Sequence, residues 1–599
     1  MRFRNGLIGL LLLLMAMPVL NFAQESPVCS EDELLQIWQI QGTSDIPHCL
    51  DQKVKAYGIV TALIPNGFFM QTPTAESDQD PLTSDGIFVL TDVPPAAWGI
   101  AVGDTVEVVA KVKEFYNFTR LQPSGKKRVT VVAQDMPMPE AVDIGSMSYE
   151  WEAGVHPMER FEGMLVQVND VLVSASTNHF DEFGISLSNK RAFREMGIEA
   201  DMSVNLAGTG LPEWDLNPEI IEVDPVEIGL DRQDVLAGSY VSVMGPVHYA
   251  YQDYQILPLI LIIDPIEDVA YSVRERLEGE FTIASQNVEN LFDLVDDPNR
   301  DDATFEDYVP DNEAEYQSRL VKLSAQIREN LGAPDILALQ EVENWRVLND
   351  LALQIHTDDP ALTYIPCLLE GHDGRGIDVG YLINSKRVNV LDCYRMPGSY
   401  EAIQNNTQTD LFSRPPLIVD VELLLEDGAS YTLHIINLHN KSLGGNDTTP
   451  TQNRRMEQAE FIAAYVEAMM QADPEAKVII LGDFNAFQFS DGIVDVVGII
   501  QGQQDPAEAL RSPERVYETG LINQIEKVAA AQRYSYVYNS QAQILDQMLV
   551  SPAVDAIVSA MEISRGNADG LDAWHLDEMM GSLRSSDHDG LVLFIKPSQ

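Results

Sequence analysis

Positive charge is what this chain has least of. Its 599 residues carry 38 lysines and arginines against 93 aspartates and glutamates, a formal net charge of −55. That balance argues against a protein that grips polyanions through its whole surface. A solvated acidic surface in a salty exterior accounts for it without any ligand. Cysteine is also scarce, with four residues. No C-x-x-C or H-x-x-x-H spacing supports a zinc site. In an exported chain four cysteines indicate two disulfides, and three connectivities are open. The pairing Cys29–Cys49 and Cys367–Cys393 is favoured. The first pair brackets a short segment, and the second lies in two neighbouring β-like runs, 364–368 and 388–394. Long apolar runs are missing beyond the N-terminus, where Arg2 and Arg4 precede an apolar stretch at 7–20 and Ala23 closes a cleavage site. Residues 1–23 therefore read as a secretory signal, too short to span a membrane comfortably. No cysteine precedes Cys29 to carry a lipid anchor, and the run at 257–263 is only strand-sized. The mature protein is expected to be soluble, without stable membrane association, and secreted. Extracellular and periplasmic locations both stay open, as does the oligomeric state.

What is present is a chain long enough for roughly four domains of about 150 residues, with an internal repeat in its first half. Gly103-Asp104-Thr105-Val106-Glu107-Val108 leads to Leu121-Gln122-Pro123, and Gly238-Ser239-Tyr240-Val241-Ser242-Val243 leads to Ile256-Leu257-Pro258. Val106/Val241, Val108/Val243, Val112/Val247, Tyr116/Tyr251 and Leu121/Ile256 superimpose, with the alternation of half-buried strands. Each copy has a matching earlier strand, at 54–63 and 163–173. Two small all-β barrels fit this spacing, at 24–140 and 150–266. Residues 267–279 are polar and charged and read as a linker. From Glu280 to the C-terminus strands and helices interleave, as in a layered α/β domain. The expected strands are 281–288, 334–340, 377–383, 433–438 and 478–482, and the expected helices 314–331 and 451–470.

Four segments of this last part end β-like runs on carboxylates, amides or imidazoles. They are Ser285-Gln286-Asn287-Val288-Glu289-Asn290, Leu339-Gln340-Glu341-Val342, Gly482-Asp483-Phe484-Asn485 and Ser586-Asp587-His588. An α/β fold gathers oxygen ligands for a hard metal, and a histidine base, at one sheet edge in this way. Arg414-Pro415-Pro416-Leu417, Asn437-Leu438-His439-Asn440 and Ile544-Leu545-Asp546 add to the series. Singly each has a plain reading: a solvated carboxylate for Glu341, a β-turn for Asp483 and Asn485, a hydrogen-bonded core histidine for His439. Taken together and in order, the seven segments resemble the endonuclease/exonuclease/phosphatase superfamily, the DNase I-like enzymes. The resemblance implies a four-layer α/β sandwich over 280–599. The first β copy, on Ile40-Gln41-Gly42, Gly58-Ile59-Val60-Thr61-Ala62 and Asn66-Gly67-Phe68-Phe69-Met70-Gln71, resembles the OB-like module that precedes the catalytic domain of bacterial extracellular nucleases.

The resemblance implies Glu341 as primary metal ligand, with Asn287 beside it. Glu289 lies two residues on, expected on the same strand face, and Asp587 is a second metal or phosphate-site carboxylate. The cofactor implied is Mg²⁺ or Mn²⁺, aided by Ca²⁺ if the acidic stretch 293–311 is more than a solvated loop. Asp483 and Asn485 position water and a phosphoryl oxygen. His588 has a pKa near the working pH and is the general-base candidate, and Asp546 is its orienting carboxylate. His439 faces the scissile phosphate or the leaving oxygen, and Arg414 can fork onto phosphate oxygens together with Asn485. One cationic cluster stands out: Lys111, Lys113, Arg120, Lys126, Lys127 and Arg128, interleaved with Phe115, Tyr116 and Phe118. Charge and stacking of this kind suit single-stranded nucleic acid, while core aromatics beside a solvated edge are the plain alternative. The function expected is metal-dependent hydrolysis of DNA or RNA phosphodiesters. The same chemistry on a phospholipid or small phosphoester is the first alternative, and a non-catalytic binding protein the second.

Overall fold

In the computed structural model, residues 28–151, 154–200, 209–295, 309–399, 411–426 and 428–597 are described. The signal segment 1–23 and part of the acidic stretch 293–311 lie outside them. The alternating runs of the first half form strands that close into rings. Lys53–Ile64, Gly67–Gln71, Gly86–Leu90, Thr119–Gln122 and Thr105–Glu114 follow one another around the first ring. It closes where Lys53 pairs antiparallel with Lys111. Leu165–Ala175, Phe183–Ser186, Ile220–Val223, Asp253–Ile256 and Tyr240–Ala250 make the second ring in the same order, closed at Tyr240 and Leu172. The two halves of the sequence repeat occupy the same places in the two rings. Their hairpin tips match as well: Tyr116-Asn117 and Tyr251-Gln252 are all left-handed, with φ between 51° and 79°. Closure pairs each of these five strands on both sides, and Val129–Ala133 and Ile260–Asp264 extend the two sheets as edge strands.

The rings pack on each other through Phe69, Phe88, Phe118 and Leu257, with His248 edge-on to Phe118 at 4.9 Å. Glu162 of the second ring is buried in this joint, where it accepts from Thr119 N at 3.0 Å and Gln41 Nε2 at 3.3 Å.

Beyond residue 280 the buried apolar runs build two six-stranded sheets. One carries Ile336–Val342 and Phe281–Leu291 at its centre, the other Ser430–His439 and Val478–Asp483. Their inner faces meet across a core that includes Ile283, Tyr381, Val419, Leu481, Met548 and Leu593. The first sheet is covered outside by Glu313–Ala325 and Trp345–Asp358, whose Leu320, Leu323, Val347, Leu351 and Ile355 recur at helical spacing. Asn312 and Asn344 cap these helices through their side chains. Thr449–Ala472 and Val496–Gln501 cover the second sheet through Ala459, Ile462, Val466 and Ile499. Cys367 and Cys393, on an edge strand of each sheet, are disulfide-bonded with Cα atoms 6.6 Å apart. Cys29 and Cys49 form the second disulfide.

Residues 267–279 are not a free linker. Tyr271 bridges to Arg565, Val273 is buried in the outer core of the first sheet, and Arg274 pairs with Glu280 at 2.8 Å. The second ring is also joined directly to the C-terminal sheets. Arg194 N donates to Ala542 O at 3.0 Å and Ala542 N to Ala192 O at 2.9 Å. Ser174 Oγ donates to Ser540 O at 3.0 Å. Arg191 pairs with Asp569 at 2.5 Å. Gly184 permits the approach, since a Cβ there would overlap the Ser540 side chain.

Candidate active site

Phe281–Leu291 runs parallel to Ile336–Val342, and Ser430–His439 parallel to Val478–Asp483. Their C-terminal ends emerge together, which brings Asn287, Glu341, His439 and Asp483 to one end of the paired sheets. Glu341 has a left-handed backbone (φ 67°), as does Asn485 (φ 49°). Such conformations are uncommon for side-chain-bearing residues and cluster at functional sites. Asn287 Nδ2 donates to Asp483 Oδ2 at 3.2 Å. His439 Nε2 lies 3.6 Å from Asp483 Oδ2 and 3.7 Å from Glu341 Oε1. His588 Nδ1 lies 2.7 Å from Asp546 Oδ2, which also accepts from Ser535 Oγ at 2.6 Å. Asn485 Nδ2 donates to Asn440 O at 3.2 Å, and its amide to Asp483 Oδ1 at 2.8 Å. Glu341, His439, Asp483, Asn485 and His588 open onto a cleft of about 1240 Å³, which Asp587, Arg375, Arg414 and Lys441 also line.

The electrostatics follow from burial and crowding. Burial, with the neighbouring Asp546 and Glu341 charges, pushes the Asp483 carboxyl up to about 7, against the pull of His588. Burial and Glu289 push Asp587 up to about 7. His439 is driven well below the usual imidazole range by burial and then by the charges of Arg414 and Arg375, so its ring is neutral. Burial opposes a proton on His588, but Asp546, Asp587 and Asp483 together hold it well above that range. The cluster thus has more buried negative charge than its cations offset. His439 Nδ1 and Asp546 Oδ1 are buried without hydrogen-bond partners. Among the described residues no three carboxylates or imidazoles stand at metal-binding separation as they are. The donor set nonetheless suits a hard cation: oxygen ligands from Glu341 and Asp587 at a polar cleft, with surplus negative charge to balance.

Several expected roles change with the geometry. Glu289 does not share the Asn287 face, because Glu289 and Asn290 are left-handed (φ 54° and 49°) and break the strand alternation. Its carboxylate pairs with Arg584 at 2.5 Å and His575 at 3.3 Å. Asn287 turns its amide nitrogen toward Asp483, while its Oδ1 accepts from Glu289 N at 3.0 Å. In this arrangement it holds Asp483 in place. Arg414 is mostly spent: Nε and Nη2 donate to His439 O and Asn440 O at 3.2 and 3.0 Å, and Nη1 pairs with Asp373. It fixes the turn that carries His439. In the cationic cluster Phe118 is core, packed between the two rings. Lys111 and Lys113 pair with Asp51 at 3.0 and 2.7 Å, and Arg128 stands 3.7 Å from Glu31. Arg120 lies over the Phe115 ring at 4.0 Å. Phe115 and Tyr116 remain exposed, and Lys126 donates to Ala97 O at 3.5 Å. Lys127 lies in the middle of the same short turn.

Sequence reading missed Arg375, which donates to Asn290 Oδ1 at 3.1 Å and stands 3.7 Å from Glu341. It also missed Lys441 and the Asp546 partner Ser535. Arg375 precedes the expected strand at 377–383 and Lys441 follows the Asn437-Leu438-His439-Asn440 motif, so both adjoin readable segments. No local signal marks Ser535.

The family model described as "Endonuclease/Exonuclease/phosphatase family" matches residues 282–564. Residues 282–564 are thereby placed in the endonuclease/exonuclease/phosphatase superfamily. Residues 151–264 match a second family, described as a domain of unknown function. No curated protein matches the chain. Among solved structures, D. rerio TDP2 complexed with single strand DNA product is 18% identical, with TM-score 0.32 over 53% of this chain and 99% of that one. The human Nocturnin catalytic domain with bound sulfate is 15% identical, with TM-score 0.32 over 53% and 95%. An endonuclease/exonuclease/phosphatase family protein from Bacteroides thetaiotaomicron is 15% identical, with TM-score 0.31 over 53% and 97%. The superfamily's named activities all cleave phosphoester bonds. Among the described residues no helix is long and apolar enough to cross a membrane.

Proposed function

We propose that the protein is a secreted, divalent-metal-dependent phosphodiesterase that hydrolyses DNA or RNA. In this reading residues 280–599 form a four-layer α/β sandwich, with helices outside two packed sheets, and 24–140 and 150–266 are OB-like barrels. One observation carries the proposal. One cleft is lined by Glu341, Asp483 and Asp587, by Arg375 and Lys441, and by His588 of the His588–Asp546 pair. Oxygen ligands for a hard cation beside a carboxylate-held histidine, with cations for substrate charge, suit phosphoester hydrolysis.

Glu341 and Asp587 would hold Mg²⁺ or Mn²⁺. A divalent cation supplies positive charge at a phosphoryl oxygen and offsets the crowded carboxylates. The residues do the rest. Asp546 fixes the tautomer of His588 through Nδ1; with a divalent cation bound, the carboxylate charges that hold this imidazole protonated would be offset, and Nε2 would be left to take a proton from water. Asp483, steadied by Asn287 and the Asn485 amide, orients that water, and the Asn485 side chain adjoins the phosphoryl oxygens. Neutral His439 donates a hydrogen bond to the phosphate or the leaving oxygen, and Arg375 meets the charge that Arg414 is not free to meet. The strongly acidic surface favours a second reading, a phospholipid or small phosphoester as substrate. Activity of the mature protein on circular plasmid, RNA, a sphingolipid and a chromogenic phosphomonoester, each with and without chelator, separates the two.

A further inference from the structure

Beside the cleft lies a smaller cavity of about 290 Å³ between the second ring and the C-terminal sheets. It is lined by Phe193 and Arg194 from the ring, and by Phe487, Gln488, Phe489 and Arg533 from the other side. Arg194, Phe487 and Gln543 line both spaces, so the cavity is a side pocket of the cleft. Phe487 is two residues beyond Asn485, so their Cα atoms lie within about 7 Å of each other.

The lining has an unusual character. Phe487 and Phe489 stand 5.6 Å apart with planes tilted 34°. Arg194 is 5% exposed and stacked 3.9 Å from Trp214 and 4.9 Å from Phe487. Its Nη2 donates to Gly197 O at 2.7 Å and its Nη1 to Glu195 O. Among the described residues it pairs with no carboxylate, and its Nε has no partner. Gln488 Oε1 is likewise buried and unpartnered. Neither atom is open to the cavity as the side chains stand, which leaves aromatic faces as its main lining. The walls are rigid, because the 192–194 segment is hydrogen-bonded to Ala542 from both sides. A planar heterocycle with apolar faces fits this lining, and the volume has room for one ring system.

We infer that this pocket is a subsite for a nucleobase flanking the scissile phosphate, packed against Phe487 and Phe489 beside Gln488. The inference rests on the nuclease reading above. It gives the second ring a task that a sequence of unknown-function type does not disclose: it completes the substrate site.

The test is equilibrium binding in chelator, where no strand is cut. The full-length protein is titrated with a short labelled single strand in which one abasic residue is walked along the sequence. Stacking of one base is worth about 1–3 kcal/mol, so one abasic position should weaken wild-type binding about tenfold. Phe489→Ala and Gln488→Ala, both half-buried positions, should each flatten that step, and melting curves check that they fold. If wild type binds every abasic strand as tightly as the intact one, the subsite is wrong while the nuclease reading stands. The same holds if both variants keep the tenfold step. If wild type binds no strand at all, both fall.

Discussion

Arg191→Met should loosen the second ring from the C-terminal sheets. Arg191 Nη2 and Nη1 donate to Asp569 at 2.5 and 3.2 Å, and Tyr534 adds a third bond at 2.7 Å. The Asp569 side chain is 7% exposed and that of Arg191 19%. Removing one partner of a buried pair strands the other charge, which costs roughly 3–5 kcal/mol. The low end applies here, because Arg565 stacks on Tyr534 at 3.7 Å and its charge still helps Asp569. About 3 kcal/mol is roughly a hundredfold in the docking equilibrium. Calorimetry should therefore show the single variant melting in separated steps, with proteolysis appearing between the second ring and residue 280. Arg191→Met/Asp569→Asn should recover part of the loss, since no charge is then stranded. Burial raises the Asp569 pKa, but Arg191 outweighs it and holds the group below the ordinary 3.8. The stabilisation is thus complete above about pH 4 and fades as pH falls through the folded value. Wild type and variant should converge there. A variant that melts and resists protease like wild type at pH 7, or a double variant no better than the single, would refute the reasoning.

Three further outcomes are expected. His588→Ala and Asp546→Asn should each lower kcat by about three to four powers of ten, and the double variant little further; independent, multiplying losses in steady-state kinetics would mean the two are not one unit. In the second ring, burial with Asp253 and Glu182 pushes Glu222 up to about 9. The folded state holds a proton that the unfolded chain gives up near 4.5, so stability should fall from about pH 5 to 9. Glu222→Gln should flatten that fall in melting temperature. The Cys367–Cys393 disulfide closes a loop of sequence separation 26 across the two sheets. Replacing both by serine should cost about 3 kcal/mol in denaturant unfolding, and mass spectrometry of the unreduced protein should recover the linked peptide.

Much of the architecture could be read in advance, because it follows from periodicity. The paired Gly-to-Pro copies mark the matching strands of both rings, down to the tips at Tyr116 and Tyr251. Motif residues at strand ends gather because parallel neighbours end together, as Glu341 and Asp483 do. What could not be read depends on single backbone dihedrals or on docking. Glu289 leaves the expected face because two left-handed residues break the alternation. The freedom of Arg414 is lost to two carbonyls that only the folded turn presents. Phe118 looked available beside its lysines, but the second ring covers it. The Phe193 side of the base pocket depends on contacts between residues some 350 positions apart, at which no local pattern hints.

The most direct measurement is conversion of supercoiled plasmid, and of RNA, by the mature protein with Mg²⁺, beside Glu341→Ala and His588→Ala proteins shown to be folded. The account predicts cleavage by wild type, none in chelator, and loss in both variants. Undiminished cleavage by either folded variant, or by wild type in excess chelator, would contradict it.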